Sequence, residues 1–174
     1  MSFDKKAKDW DDNRRIQRSK VIAEKIIDYV NLQETFSGLE FGCGTGLISL
    51  NLYDKLDKIT CIDTSSGMIK QLEDKVAEHN LDKITVTQLN INDDHDLKSE
   101  YDIIYSSMSL HHVTSLEETL QNFYDFFVVF IQRYGGIYDI EDQICVCCHF
   151  FCFGYADFLY DVFCLADSGC VSDL

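Results

Sequence analysis

A glycine turn at residues 42–46 constrains the fold of this 174-residue chain more than any other feature. An apolar strand pattern leads into the turn, glycines stand at its alternate positions, and a helical pattern begins at Leu47. Glycine has no Cβ, so the turn can adopt positive φ and pass close to a bound molecule. The following helix directs unpaired N–H groups at the same place. This order predicts a ligand site, and a tight turn without a ligand is the simpler alternative.

The spacing of the glycines indicates the kind of ligand. A dinucleotide fingerprint has G-x-G-x-x-G spacing, whereas this chain has G-x-G-x-G with Glu40 two residues before the first glycine. A carboxylate there repels a pyrophosphate but suits an ammonium group. Asp63 ends a second predicted strand, where it can accept hydrogen bonds from both ribose hydroxyls. A nucleoside with a charged amino-acid tail fits better than a nicotinamide dinucleotide, so a dehydrogenase is disfavoured.

Helical and strand patterns alternate along the chain. Apolar spacing and capping residues predict helices over residues 18–30, 47–55, 65–79 and 115–130. Strands are predicted over residues 35–41, 58–63, 83–89, 101–106 and 137–140. Such alternation favours a parallel sheet covered on both faces, with ligands at the carboxyl ends of the strands.

Four segments together resemble the class I S-adenosylmethionine-dependent methyltransferases, in particular the small-molecule type related to ubiquinone and menaquinone biosynthesis enzymes. They are FDKKAKDWD at residues 3–11, the glycine turn with Glu40, DTSSGM at 63–68 and YDIIYSSMSLHHV at 101–113. The resemblance covers roughly residues 1–125 and implies a Rossmann-like parallel-sheet sandwich. It implies methyl transfer from S-adenosylmethionine to a small-molecule acceptor, with S-adenosylhomocysteine as the product.

The resemblance also implies a cofactor site at the strand ends. Glu40 is expected to face the methionine end of the cofactor, Asp63 to hold the ribose hydroxyls, and Ser106 to lie beside the methionine moiety. The adenine is expected among four residues: Thr64, Met68, Asn90 and Ile91. The floor is expected from the turn itself: Gly42, Cys43, Gly44, Thr45 and Gly46. The family often has an acidic residue where Asn90 stands, and the asparagine carbonyl can still accept a hydrogen bond from the adenine amino group.

Methyl transfer from a sulfonium requires alignment and exclusion of water, and a base helps only where the acceptor must lose a proton. His111 and His112 are the candidate bases, because histidine titrates near neutral pH. The alternative is that one imidazole packs under the following helix while the other is exposed. The resemblance also implies that Trp10 and Arg14, with Phe3, form a mobile N-terminal lid over the cofactor, on the side of the substrate. Trp10 could equally be a core anchor.

The net charge of −15 repels nucleic-acid phosphates and anionic membranes, so nucleic acid is not an expected partner. Eight of the fifteen basic residues nevertheless lie before residue 26. They form either a solvated helix face or a contact for an anionic substrate. The charged N-terminus lacks an apolar leader, which predicts a cytoplasmic protein. In that compartment Cys43 and Cys61 are expected to be reduced thiols.

The resemblance ends in the last third of the chain, where fourteen of the twenty-two aromatic residues lie between positions 123 and 163. A cysteine-rich run at 145–152 invites a zinc site, but adjacent Cys147 and Cys148 do not easily point the same way, so no metal is predicted. Residues 144–166 approach the length of a membrane span, but Asp157 and Asp161 make one costly.

We therefore predict a single domain over residues 1–174. It comprises a lid and helix (1–30), a cofactor-binding core (31–142) and an atypical tail (143–174) that is shortened, rebuilt or frame-shifted. An active methyltransferase is the first functional hypothesis. The alternative is a non-catalytic relative that binds the cofactor and offers its apolar tail to a partner or a second copy.

Overall fold

The computed structural model describes residues 3–30, 32–92, 101–123 and 145–147. The helices are α1 (Asn13–Val30), α2 (Leu47–Leu52), α3 (Ser66–His79) and α4, which begins at residue 116 and is described to residue 123. The strands are β1 (Ser37–Phe41), β2 (Lys58–Asp63), β3 (Ile84–Gln88), β4 (Ile103–Ser106) and β5 (Cys145–Cys147). Short 3-10 turns cover Phe3–Lys5, Ala7–Asp9, Tyr53–Lys55 and Leu110–His112.

The strands form one sheet in the order β3-β2-β1-β4-β5. The first four are parallel, and β5 pairs with β4 in the antiparallel direction. Phe41, the last residue of β1, lies opposite Ile62 on one side and Ser106 on the other. The segments that follow β1, β2 and β4 therefore emerge together at one edge of the sheet. The predicted parallel α/β sandwich is confirmed.

Alternating strand residues build a core on each face of the sheet, as a two-residue period requires. Leu39, Ile62 and Ile104 face a cluster that includes Leu120 and Phe123 of α4. Ile59, Cys61, Ile103 and Tyr105 face the opposite cluster, which is completed by apolar residues of α1, α2 and α3. Both faces are thus covered by helices, which positions the strand ends rigidly.

Most predicted boundaries lie within a few residues of the observed ones, and β2 matches its prediction. Helix α1 begins at Asn13 rather than at residue 18, because an Asp12 carboxylate oxygen accepts a hydrogen bond from the Arg15 N–H at 2.8 Å and caps the earlier turn. Val21, predicted on the buried stripe of this helix, is 54% exposed. The buried face instead follows Ile22, Ala23 and Ile26.

The predicted strand at 137–140 and the cysteine cluster of the tail fall outside the described residues, except that the backbone of Cys145–Cys147 forms β5. The sequence predicted no strand at this position. Among the described residues, no helix is long and apolar enough to cross a membrane. Within the same residues, no group of three or more histidine, cysteine or acidic side chains could hold a metal ion. The division into lid, core and tail stays a prediction.

Candidate functional site

A cavity of about 520 Å³ opens at the carboxyl edge of the sheet. Its walls come from the N-terminal 3-10 segment, the start of α1, the glycine turn, the end of β2, the segment after β3 and residues 107–114. The volume falls within the range of small-molecule sites in proteins. A ligand bound here would touch the carboxyl ends of neighbouring parallel strands, as is usual in open α/β sheets.

Most residues predicted for the site line this one cavity. Those that do are Trp10, Arg14, Glu40, Gly42, Cys43, Gly44, Thr45, Asp63, Thr64, Met68, Asn90, His111 and His112.

Three predicted residues, all described by the structure, lie behind the cavity wall instead: Gly46, Ile91 and Ser106. A Cβ on Gly46 would lie 2.4 Å from Leu72 Cδ1, so this glycine lets α2 approach α3. Ile91 is buried in the core beneath α4. Ser106 Oγ donates to the Phe41 carbonyl at 2.9 Å and ties the ends of β1 and β4 together. These residues support the site from behind.

The glycine turn passes tightly against the segment after β4. Gly42 has φ of +65°, and a Cβ at this position would lie 2.3 Å from Ser109 Cβ. The turn is also joined to β2, because the Cys43 N–H donates to the Ile62 carbonyl at 3.0 Å. Cys43 and Cys61 are free, buried thiols. The turn is therefore a fixed wall of the cavity.

Asp63 is held between the glycine turn and the start of α3. One carboxylate oxygen accepts the Gly44 N–H at 2.8 Å, and the other accepts the Ser65 N–H at 2.8 Å. Each carboxylate oxygen has a further lone pair, so both can still accept hydrogen bonds from a ligand. The side chain is thereby oriented before any ligand arrives.

Glu40 is a buried carboxyl group at the base of the cavity. Its Oε2 accepts hydrogen bonds from the N–H, at 3.1 Å, and from the hydroxyl of Ser49 in α2. Ser49 Oγ also lies 2.7 Å from the Tyr105 hydroxyl, so Glu40 belongs to a buried polar network. Burial raises the pKa of Glu40 to about 7, although the hydrogen bonds from Ser49 oppose the shift. A cation in the cavity would favour its charged form.

Residues 3–12, named here the strap, lie along the cavity and are fixed at two points. Asp4 Oδ1 accepts hydrogen bonds from Ser65 Oγ at 2.7 Å and from the Gly67 N–H at 2.9 Å, at the N-terminus of α3. Asp11 pairs with Lys75 Nζ at 2.6 Å and accepts a hydrogen bond from the Thr45 hydroxyl. The strap thus contacts both the glycine turn and α3.

Aromatic side chains of the strap face the cavity. The Phe3 and Trp10 rings meet edge to face at 5.9 Å, and Phe3 also meets the His112 ring at 5.2 Å. The contacts made by Asp4 and Asp11 were not predicted from the sequence, because the local pattern does not indicate which distant groups a carboxylate will contact. The mobility expected of this segment stays a prediction.

His111 and His112 lie at the cavity rim on the 3-10 turn after β4, with ring centroids 3.9 Å apart. Both are exposed, so neither packs under the following helix, and Leu110 is the buried residue of this turn. Desolvation of the small part of the His111 ring that contacts the protein, and the neighbouring His112, lower the pKa of His111. At neutral pH a neutral His111 imidazole can accept a proton.

Met108 lines the cavity and was missed by sequence reasoning, whereas Arg15 and Arg18, which also line it, belong to the basic group that was left open between a solvated helix face and a contact for an anionic substrate. The i, i+4 spacing from Arg14 to Arg18 was an available signal, since it places both on one helix face. Met108 has a positive φ of +58°, which the sequence does not reveal.

The strand order around β1, the glycine turn after β1 and the acidic residue at the end of β2 together define the class I S-adenosylmethionine-dependent methyltransferase fold. A family model described as a methyltransferase domain matches residues 39–127, just over half of the chain, and the chain belongs to that family. The membership expected from the four sequence segments is confirmed. The finer resemblance to ubiquinone and menaquinone enzymes stays a prediction.

Similar proteins include an uncharacterised methyltransferase of Schizosaccharomyces pombe, 33% identical over 46% of this chain and 31% of that protein. Malonyl-[acyl-carrier protein] O-methyltransferase of Priestia megaterium is 31% identical over 70% of this chain and 44% of its own length. The chain thus spans less than half the length of these relatives. A solved methyltransferase from Aquifex aeolicus shares the fold, with a TM-score of 0.60 and 21% identity over 71% of this chain and 66% of that one.

Proposed function

We propose that the cavity binds S-adenosylmethionine and that the protein transfers a methyl group to a small-molecule acceptor. The observation that carries the proposal is the presence of two carboxyl groups, Glu40 and Asp63, beside one glycine turn in one cavity. This pair suits the cationic and ribose parts of the cofactor. The Priestia relative is named malonyl-[acyl-carrier protein] O-methyltransferase, which supports an acyl group as the acceptor.

The residues present fit this cofactor. Asp63 presents two oriented oxygens for the ribose hydroxyls, and the missing Cβ of Gly44 leaves room for a ligand to approach the backbone closely. Glu40 supplies a carboxyl whose charged form a neighbouring ammonium stabilises. Met68 and Asn90 line the cavity and are assigned to the adenine.

When bound, the cofactor supplies a methyl group on an activated sulfonium. The protein then has to align the acceptor and exclude water. Phe3 and Trp10 of the strap exclude water from one side of the cavity, because their rings lie along it. His111 is assigned as the base for an acceptor that must lose a proton, with His112 as its neighbour.

The cofactor site is tested by isothermal titration of S-adenosylhomocysteine into the wild type, Asp63→Asn and Asp54→Asn. Asp54 lies in an exposed 3-10 turn outside the cavity, so its variant controls for loss of one acidic charge. We expect micromolar binding by the wild type and by Asp54→Asn. Asp63→Asn should bind at least about tenfold more weakly, since it loses charge-assisted hydrogen bonds. A folded wild type that binds nothing would refute the cofactor assignment.

The base is tested separately, by transfer of a labelled methyl group to a panel of small oxygen and nitrogen acceptors. With an acceptor in hand, His111→Gln should lower kcat about a hundredfold or more while leaving the affinity for S-adenosylhomocysteine unchanged. Unchanged kcat in His111→Gln would show that this imidazole does not accept the proton.

A further inference from the structure

Among the basic residues near the N-terminus, the arginines line the cavity and the lysines do not. All three arginines among them, Arg14, Arg15 and Arg18, line the cavity. None of the five lysines does so: Lys5, Lys6, Lys8, Lys20 and Lys25. Guanidinium groups bind carboxylate and phosphate through two parallel hydrogen bonds, whereas ammonium groups act as hydrated point charges.

Local helix energetics do not account for the arginines. Arg14 and Arg15 lie in the first turn of α1, where the helix dipole disfavours cations, and Arg18 follows in the second turn. The Arg15 guanidinium already has partners within the protein. It pairs with Asp12, donates a hydrogen bond to the Trp10 carbonyl at 3.3 Å and stacks over the Trp10 ring at 4.2 Å. Its role is to hold the strap against α1.

Arg14 is different, because its guanidinium makes no ion pair or side-chain hydrogen bond with any residue that the structure describes. It is exposed, lines the cavity and stands one turn before Arg18 on the same helix face. Asp12 lines the same side of the cavity and pairs with Arg15, so Arg14 and Arg18 supply the remaining positive charge there in a chain of net charge −15. Glu40 and Asp63 form the negative region of the same cavity.

Resting on the proposed function, we infer that Arg14, with Arg18 beside it, binds an anionic oxygen group of the methyl acceptor, a carboxylate or a phosphate. The acceptor is then an anion, drawn into the cavity by the arginines while the acidic floor holds the cationic cofactor. The carboxylate of the cofactor has the same chemistry, so the test has to separate the two sources.

The test uses the wild type, Arg14→Gln and Lys20→Gln. Lys20 lies on the same helix, is exposed and does not line the cavity, so its variant matches the change in charge. The first arm titrates S-adenosylhomocysteine and 5′-methylthioadenosine, which lacks the amino-acid tail, into all three proteins. The second arm titrates succinate, inorganic phosphate and neutral succinamide into the complexes with S-adenosylhomocysteine.

We expect at least one anion to bind the wild-type complex about tenfold tighter than succinamide, as a charge-assisted contact allows. Lys20→Gln should keep this preference and Arg14→Gln should lose it, with affinity for S-adenosylhomocysteine within twofold in all three proteins. The inference is overturned if neither anion is preferred, or if the preference survives in Arg14→Gln.

It is also overturned if Arg14→Gln weakens S-adenosylhomocysteine but not 5′-methylthioadenosine, because Arg14 would then hold the carboxylate of the cofactor. A wild type that does not bind S-adenosylhomocysteine would instead overturn the proposed function, and the inference with it.

Discussion

The floor of the cavity, formed by Glu40, the glycine turn and Asp63, is held in place differently from the strap. Backbone pairing between parallel strands fixes the floor, and Asp63 and Glu40 are each tied to backbone N–H groups. The strap is fixed mainly by the side chains of Asp4 and Asp11. Side-chain contacts near the surface are individually weak. We therefore expect the floor to persist under changes that release the strap.

The largest expected effect is that of Gly42→Ala on the floor. The added Cβ would meet Ser109 in a backbone conformation with φ of +65°, which should cost about 2 to 5 kcal/mol of unfolding free energy. Urea denaturation measures the loss, and binding of S-adenosylhomocysteine should fall with it.

The matched glycine substitution for the strap is Gly67→Ala. Gly67 lies in α3, and its added Cβ would lie 2.7 Å from the Asp4 Cα in the strap. The strap can move away, so the unfolding free energy should change by only about 1 kcal/mol. Equal destabilisation by the two variants would contradict the contrast between floor and strap.

The next prediction is that Glu40 makes the free energy of unfolding depend on pH. Its pKa is about 7 in the folded protein, against 4.5 for an unperturbed glutamate, so the folded state holds the proton more tightly than the unfolded chain does. This contribution is fully favourable below about pH 4.5 and is lost as the pH rises through about 7, a change of about 3 kcal/mol. Glu40→Gln should remove that slope, as measured by urea denaturation of both proteins from pH 5 to 8. Parallel slopes in the two proteins would show that Glu40 is not the responsible group.

The smallest effect is expected from Asp11→Asn. This change breaks the half-buried ion pair with Lys75 and should cost about 1 kcal/mol or less. Hydrogen exchange of the amides at residues 3–12 should accelerate while exchange in β1 and β2 stays unchanged. Asp74→Asn breaks an exposed pair with Lys70 on the same helix and should leave the strap protected. If exchange at residues 3–12 accelerated in both variants, the cause would be a change in α3 rather than the loss of the contacts made by Asp11.

The same contrast explains what the sequence could predict. The glycine spacing, the alternation along β1 and β2 and the acidic strand ends are local patterns, so the sheet and the floor followed from them. The partners of Asp4 and Asp11 are more than thirty positions away along the chain, and no local pattern reveals them. Gly46 and Ser106 show a further limit, because the pattern placed Gly46 in the glycine turn and Ser106 at a strand end but could not show that neither residue lines the cavity.

We propose that the floor receives the cofactor between Glu40 and Asp63. The most direct measurement is a crystal structure of the protein with S-adenosylhomocysteine. We predict both ribose hydroxyls within hydrogen-bond distance of the Asp63 carboxylate, with the amino-acid tail over the glycine turn towards Glu40. A ligand bound elsewhere, or one whose ribose does not contact Asp63, would show that the floor is not the cofactor site.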